Sequence, residues 1–193
     1  MKKYRLILLL LLLTHYANSQ NKYEREYRIK KAQFPSAALE LVQDKLQEAR
    51  RIKFYRETDS AKVSYEAKFK KNRLWYSVEF NEQGILEDVE ILIEEVDIPS
   101  ETMQQIRDYL KESFTKYRIK RIQQQYPTST EEPLEKTIKN AFQNLIIPNI
   151  NYELVIAGKK EEGYLDYELL FGSDGSLKKI RKSLPPNYDH VLY

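Results

Sequence analysis

The sequence predicts an α+β fold: a tandem repeat of one helix plus a four-stranded antiparallel meander, with the helices packed on one face of the sheet. Three observations predict it. Leu74, Tyr76, Val78, Phe80, Gly84, Leu86 and Val89 recur as Leu165, Tyr167, Leu169, Phe171, Gly175, Leu177 and Ile180, each pair 91 residues apart. In the strand part of each set, apolar residues alternate with polar ones, the period of a strand with one buried face. Ahead of each set stands a Pro-Ser pair, Pro35-Ser36 and Pro99-Ser100, followed at helical spacing by Leu39, Val42 and Leu46 or by Met103, Ile106 and Leu110.

Residues 1–19 read as a secretory signal peptide. Lys2, Lys3 and Arg5 form a basic head, Leu6 to Leu13 an apolar run, and Ala17-Asn18-Ser19 a small-residue cleavage pattern. The run is far shorter than the ~20 residues a spanning helix needs. A periplasmic or secreted protein is therefore expected, with no stable membrane anchor once the signal is removed.

Residues 20–97 then read as the first repeat with a leading strand at 26–30. Its helix follows Ser36 as N-cap, and strands are expected at 53–57, 63–70, 74–80 and 85–94. Residues 98–193 read as the second repeat, with Ser100 as N-cap and strands at 117–125, 150–158, 164–171 and 176–184. An inserted helix is expected near 131–145, where Leu134, Ile138, Phe142 and Leu145 share a face behind Pro133. The five Gly fall in turns or at strand ends, and Gly84 and Gly175 suit turns that need positive φ. The tail from Pro185 onward reads as irregular.

Composition removes several function classes. The chain has 32 Lys+Arg against 29 Asp+Glu, and the three basic residues of 1–19 account for the difference. Without net positive charge nothing favours nucleic acid through counterion release. There is no Cys, and of the two His one lies in the signal and the other is His190 in the tail. Thiol chemistry, His-based triads and His-rich metal sites are thus not expected.

Two constellations remain. Glu87, Asp88, Glu90, Glu94, Glu95 and Asp97 form an acidic cluster. Alternation puts Asp88, Glu90 and Glu94 on the polar face, where solvent and cross-strand pairing with Lys68 or Lys70 explain them; no calcium-loop spacing is present. The other is aromatic. Trp75, Ser77 and Glu79 occupy the strand face opposite Leu74, Tyr76, Val78 and Phe80, beside Glu66, Lys68, Lys53 and Tyr55 on neighbouring strands. An open sheet face carrying Trp and Tyr among charges suits protein capture; the alternative is a Trp75 packed under the inserted helix or the leading strand. Candidate binding residues are Lys53, Tyr55, Glu66, Lys68, Trp75 and Glu79.

Tyr65-Glu66, Phe80-Asn-Glu-Gln-Gly84 with Glu87, and again Tyr152-Glu153 and Phe171-Gly-Ser-Asp-Gly175, resemble the PepSY-like family. The resemblance covers roughly residues 25 to 184. It implies exported bacterial proteins, common in the Bacteroidetes, with a fold similar to beta-lactamase inhibitor protein. It brings no catalytic residue with it, and by analogy with PepSY domains it implies restraint of a peptidase or hydrolase. An exported, non-enzymatic binding module with a protein or peptide partner is the resulting expectation. No catalytic residue, cofactor or metal is expected. The alternatives are a carboxylate-dependent hydrolase and a structural or envelope-stress protein.

Overall fold

The structure, a computed structural model, describes residues 20–22, 24–59 and 62–183. The expected signal peptide and the tail with His190 lie outside these residues. The elements, in chain order, are β1 (Gln20–Lys22), β2 (Glu24–Ile29), α1 (Ser36–Leu46), β3 (Arg50–Asp59), β4 (Lys62–Lys71), β5 (Leu74–Asn81) and β6 (Leu86–Ile93). They continue with α2 (Ser100–Ser113), β7 (Lys116–Pro127), α3 (Leu134–Phe142), β8 (Asn151–Lys160), β9 (Gly163–Gly172) and β10 (Leu177–Ser183). Short 3-10 turns at Lys31–Gln33 and Glu95–Asp97 lead into α1 and α2.

The expected tandem of helix plus four-stranded meander is overturned. All strands belong to one sheet in the order β1-β10-β9-β8-β7-β6-β5-β4-β3-β2. β2 to β10 form nine antiparallel strands without a break, and β1 adds to β10 in parallel. The junction is the β6–β7 pair, which runs in register from Asp88↔Pro127 to Ile93↔Ile122. An unpaired edge there would leave a row of backbone N–H and C=O groups without partners. Pairing the edges removes that cost and fuses the strands into one sheet. The sequence periodicity reports local strand alternation, not where a sheet ends.

Alternation nevertheless decides the two faces. Phe69, Tyr76, Val78, Phe80, Val89, Ile91, Tyr152, Leu154, Ile156, Leu169 and Phe171 are all buried in one continuous core. The helices cover this face. Phe34, just ahead of α1, packs its ring on Phe54 and edge-on to Phe80; Tyr109 of α2 meets Phe171 edge-on; Phe142 of α3 stacks on Tyr76 at 4.6 Å. Such ring contacts add to area burial by about 0.5–1.5 kcal/mol each. The inserted helix is therefore fastened to β5 through Tyr76, and its Thr137, Ile138 and Ala141 are buried.

The helix starts differ from expectation. Neither Ser36 nor Ser100 is an N-cap; each is the first helical residue, and the boundary residue is the proline before it. The Pro35 and Pro99 carbonyls accept the first helical bonds, from Leu39 and Met103 at 2.9 Å. Proline's fixed φ and missing N–H suit a helix start without a side-chain cap. Under these starts lie the two expected positive-φ turns. Gly84 (φ 76) faces Pro35 and Ala38, where a Cβ would be tight at 3.0 Å, and Gly175 (φ 83) faces Thr102, where a Cβ would collide with the helix at 2.7 Å. Thr102 Oγ1 also donates to the Ser173 carbonyl at 2.7 Å.

Gly158 has a different role from that expected of a strand end. It lies inside β8, and a Cβ there would stand 2.6 Å from the Phe114 ring. Gly158→Ala is expected to destabilise the protein by about 1–3 kcal/mol through overpacking. Urea denaturation measures this, and Phe114→Leu in the same chain should restore part of the loss.

Candidate functional site

The face opposite the helices is polar and curls into a cleft. Its cavity of about 620 Å3 is lined from every strand between β2 and β10, with ten carboxylates and six basic side chains among the described residues. Curvature brings strands distant in the sheet into contact. Arg181 on β10 reaches Glu168 on β9 through Nε at 3.1 Å and Asp59 on β3 through Nη1 at 3.1 Å. Lys62 and Glu87 pair at 2.8 Å near the same mouth.

All six candidate binding residues lie on this face, in two groups joined by Lys68. Lys53, Tyr55, Lys68 and Trp75 line a shallow pocket of about 320 Å3, together with Arg51, Arg121 and Gln123. Trp75 is half-buried. It is not packed under the inserted helix, whose Phe142 meets Tyr76 on the other face. Instead the Arg51 guanidinium and the Lys70 ammonium flank its ring at 5.6 and 5.7 Å. A bulge between Arg50 and Lys53, with Arg51 at φ 57, carries the guanidinium there.

Glu66, Lys68 and Glu79 line the large cavity. Lys68 Nζ lies 2.6 Å from Glu26 Oε1, 2.7 Å from Glu66 Oε2 and 4.9 Å from the Tyr55 ring centre. Burial alone would lower the lysine's pKa, but the Glu66 and Glu26 carboxylates outweigh it and hold the ammonium charged well above its usual range. Ser77 Oγ donates to the other Glu66 oxygen.

The acidic cluster departs most from expectation. Asp88 and Glu90 share the helix-free face, yet Glu90 is buried and Asp88 half-buried, and Lys68 turns to Glu66 and Glu26 rather than to them. Glu90 is 5% exposed and accepts from Gln123 Nε2. Asp88 Oδ2 accepts from Gln125 Nε2 at 3.1 Å, while its Oδ1 is shut off from solvent with no hydrogen-bond donor. Gln125 is held in turn by Asn151, and Asn151 by Lys178. Burial, then the Glu153, Glu87 and Glu66 carboxylates, push the Asp88 carboxyl up to about 8. Burial, then Glu153 and Glu79, also raise Glu90 well above the carboxylate range. Residues of the later strands, among them Gln123, Glu153, Glu168 and Arg181, complete the cleft. Alternation marks them as polar-face positions, but nothing local in the sequence shows that the two ends of the sheet approach.

No protein-family model matches the sequence, and no curated protein matches it. Solved structures share its fold. A DUF2874 family protein from Bacteroides ovatus aligns with a TM-score of 0.52 at 11% identity, covering 77% of this chain and 86% of that one. A candidate periplasmic protein from Bacteroides eggerthii aligns with a TM-score of 0.50 at 14% identity, covering 77% and 88%. A BLIP-like protein from Bacteroides fragilis gives 0.48 at 12%, covering 82% and 92%. The two neighbours at 0.50 or above show the fold, and the BLIP-like name belongs to the fragilis protein. None of the three bears the PepSY-like name. No helix among the described residues is long and apolar enough to cross a membrane.

The raised carboxyls set a pH dependence. The folded protein keeps protons on Asp88 and Glu90 that an unfolded chain releases near pH 4. Their contribution to stability is therefore full below that pH and is lost as pH rises through about 8. Tm in metal-free buffer is expected to fall between pH 6 and 9, and to fall less in Asp88→Asn. Calorimetry across that range checks it.

Proposed function

We propose that this protein is an exported, non-enzymatic binding module, acting in the periplasm or outside the cell, that captures a protein or peptide segment in the cleft of its helix-free face. The carrying observation is the continuity of two sites through Lys68: an aromatic pocket with half-buried Trp75, and a deep cavity in which carboxylates outnumber basic groups. An aromatic anchor with a charged recess beside it suits an extended segment carrying an apolar side chain and a basic one. The periplasmic assignment of the eggerthii neighbour and the name of the fragilis one are compatible with this reading, and inhibition of a peptidase or hydrolase is the form it would take.

A second reading, carboxylate-dependent hydrolysis, draws on one observation. Asp88 is held protonated near neutral pH beside other carboxyls, the pairing of acid and base that glycosidases use. Glycan and peptide substrates would be turned over by the native protein and not by Asp88→Asn or Glu79→Gln.

Replacing Trp75 and Tyr55 with Ala is expected to abolish capture of a partner from a native periplasmic extract. The Tm should stay within about 4 °C, because half-buried rings flanked by cations contribute modestly. A collapse in Tm would assign the rings to stability instead, and intact capture would remove them from the site.

A further inference from the structure

We infer that Glu79, Asp88 and Glu90 form a divalent-cation site in the floor of the cleft, suited to an ion of the calcium class. One carboxylate oxygen from each lies within 4.8 Å of the others, the spread open to oxygens that share one ion at about 2.3–2.6 Å. The register forces this crowding. Glu79 pairs directly with Glu66 on one side and Asp88 on the other, and Glu90 stands on the same face one pair along, opposite Ser77. Like charges placed directly opposite one another destabilise a sheet unless something neutralises them.

The neighbouring acidic group shows what neutralisation looks like here. Glu26, Glu57 and Glu66 meet the same spacing, and the Lys68 ammonium lies against two of them at 2.6 and 2.7 Å. Among the described residues, neither Asp88 nor Glu90 is in an ion pair.

A second observation is independent of the acids. Gln123, 8% exposed, rests its amide against Glu90, and its Oε1 is buried with no hydrogen-bond donor. Together with the donor-less Asp88 Oδ1, this leaves two buried oxygens beside the cluster without partners, which a buried polar site rarely does, and a half-turn of the Gln123 amide would present its oxygen to the acids in place of the nitrogen. The donor set is oxygen only, which selects hard cations over zinc or copper. Calcium tolerates irregular geometry and mixed carboxylate and amide oxygens better than magnesium does. The cluster lines the large cavity, so an ion can enter from solvent.

This inference stands apart from partner capture, since it is read on the protein alone. The purified protein, stripped with EDTA, is titrated with CaCl2 and with MgCl2 in a calorimeter, and its Tm is followed with each salt. One calcium per chain is expected, with a Tm rise of about 5–10 °C at a hundredfold excess over Kd and weaker binding of magnesium. Asp88→Asn/Glu90→Gln should lose both the heat and the shift, whereas Glu26→Gln in the lysine-filled group should keep them. Should the double variant fail to fold, Asp88→Asn keeps an oxygen for Gln125 and should weaken calcium binding at least tenfold. Absence of heat and shift in the native protein, or equal calcium affinity in the Asp88 variants, overturns the site. Tighter binding of magnesium overturns the choice of ion.

Discussion

The β6–β7 ladder is the constraint on which the rest of the molecule depends. Six consecutive residue pairs, from Asp88↔Pro127 to Ile93↔Ile122, turn what could have been two small sheets into one. A sheet of nine antiparallel strands accumulates enough twist and bend to turn one face inward. That face is the one the helices do not occupy, so its polar residues converge on an enclosed space instead of spreading over a flat surface. Remove the ladder and the polar residues of β4 and β9 would never share a cavity.

Much of the fold could be read from residue order. The positions of Tyr76, Val78, Phe80, Tyr167, Leu169 and Phe171 fixed strand and face correctly, because a pleated strand with one buried side leaves a two-residue period that nothing else mimics. The inserted helix and the turns at Gly84 and Gly175 were legible for equally local reasons. The helix starts misled, since Ser36 and Ser100 offer the chemistry of a cap while Pro35 and Pro99 take the position. The sheet's continuity also misled. Strand pairing between β6 and β7 is a contact across a helix, and alternation carries no record of it.

The candidate site divides along the same line. Trp75, Tyr55 and Lys68 were visible because they share the off-beat of adjacent strands. Asp88 and Glu90 were visible as acids but not as acids drawn out of solvent, Glu90 fully and Asp88 in part. Their surroundings come from the strands that follow: Gln123 and Gln125 of β7 pack against them, and Glu153 of β8 adds its charge. The physical character of the cleft follows from this crowding. Carboxylates that would be harmless in water become mutually repulsive once solvent is thinned around them. One group is relieved by a lysine; the other, free of metal, retains protons that a bound cation would displace, so local charge in the cleft is set by more than the count of acids and bases.

Arg181 gives the molecule a temporal dimension. It stands on the last strand and grips Asp59, 122 residues earlier in the chain, while β1 at the other extreme pairs with that same last strand. Neither contact can form until β10 has been synthesised, and contacts of such long range close late in folding. The earlier strands can pair and gather their helices with the polar face still splayed. The cleft is thus closed only once β10 is in place, so its polar lining is among the last parts of the molecule to be assembled.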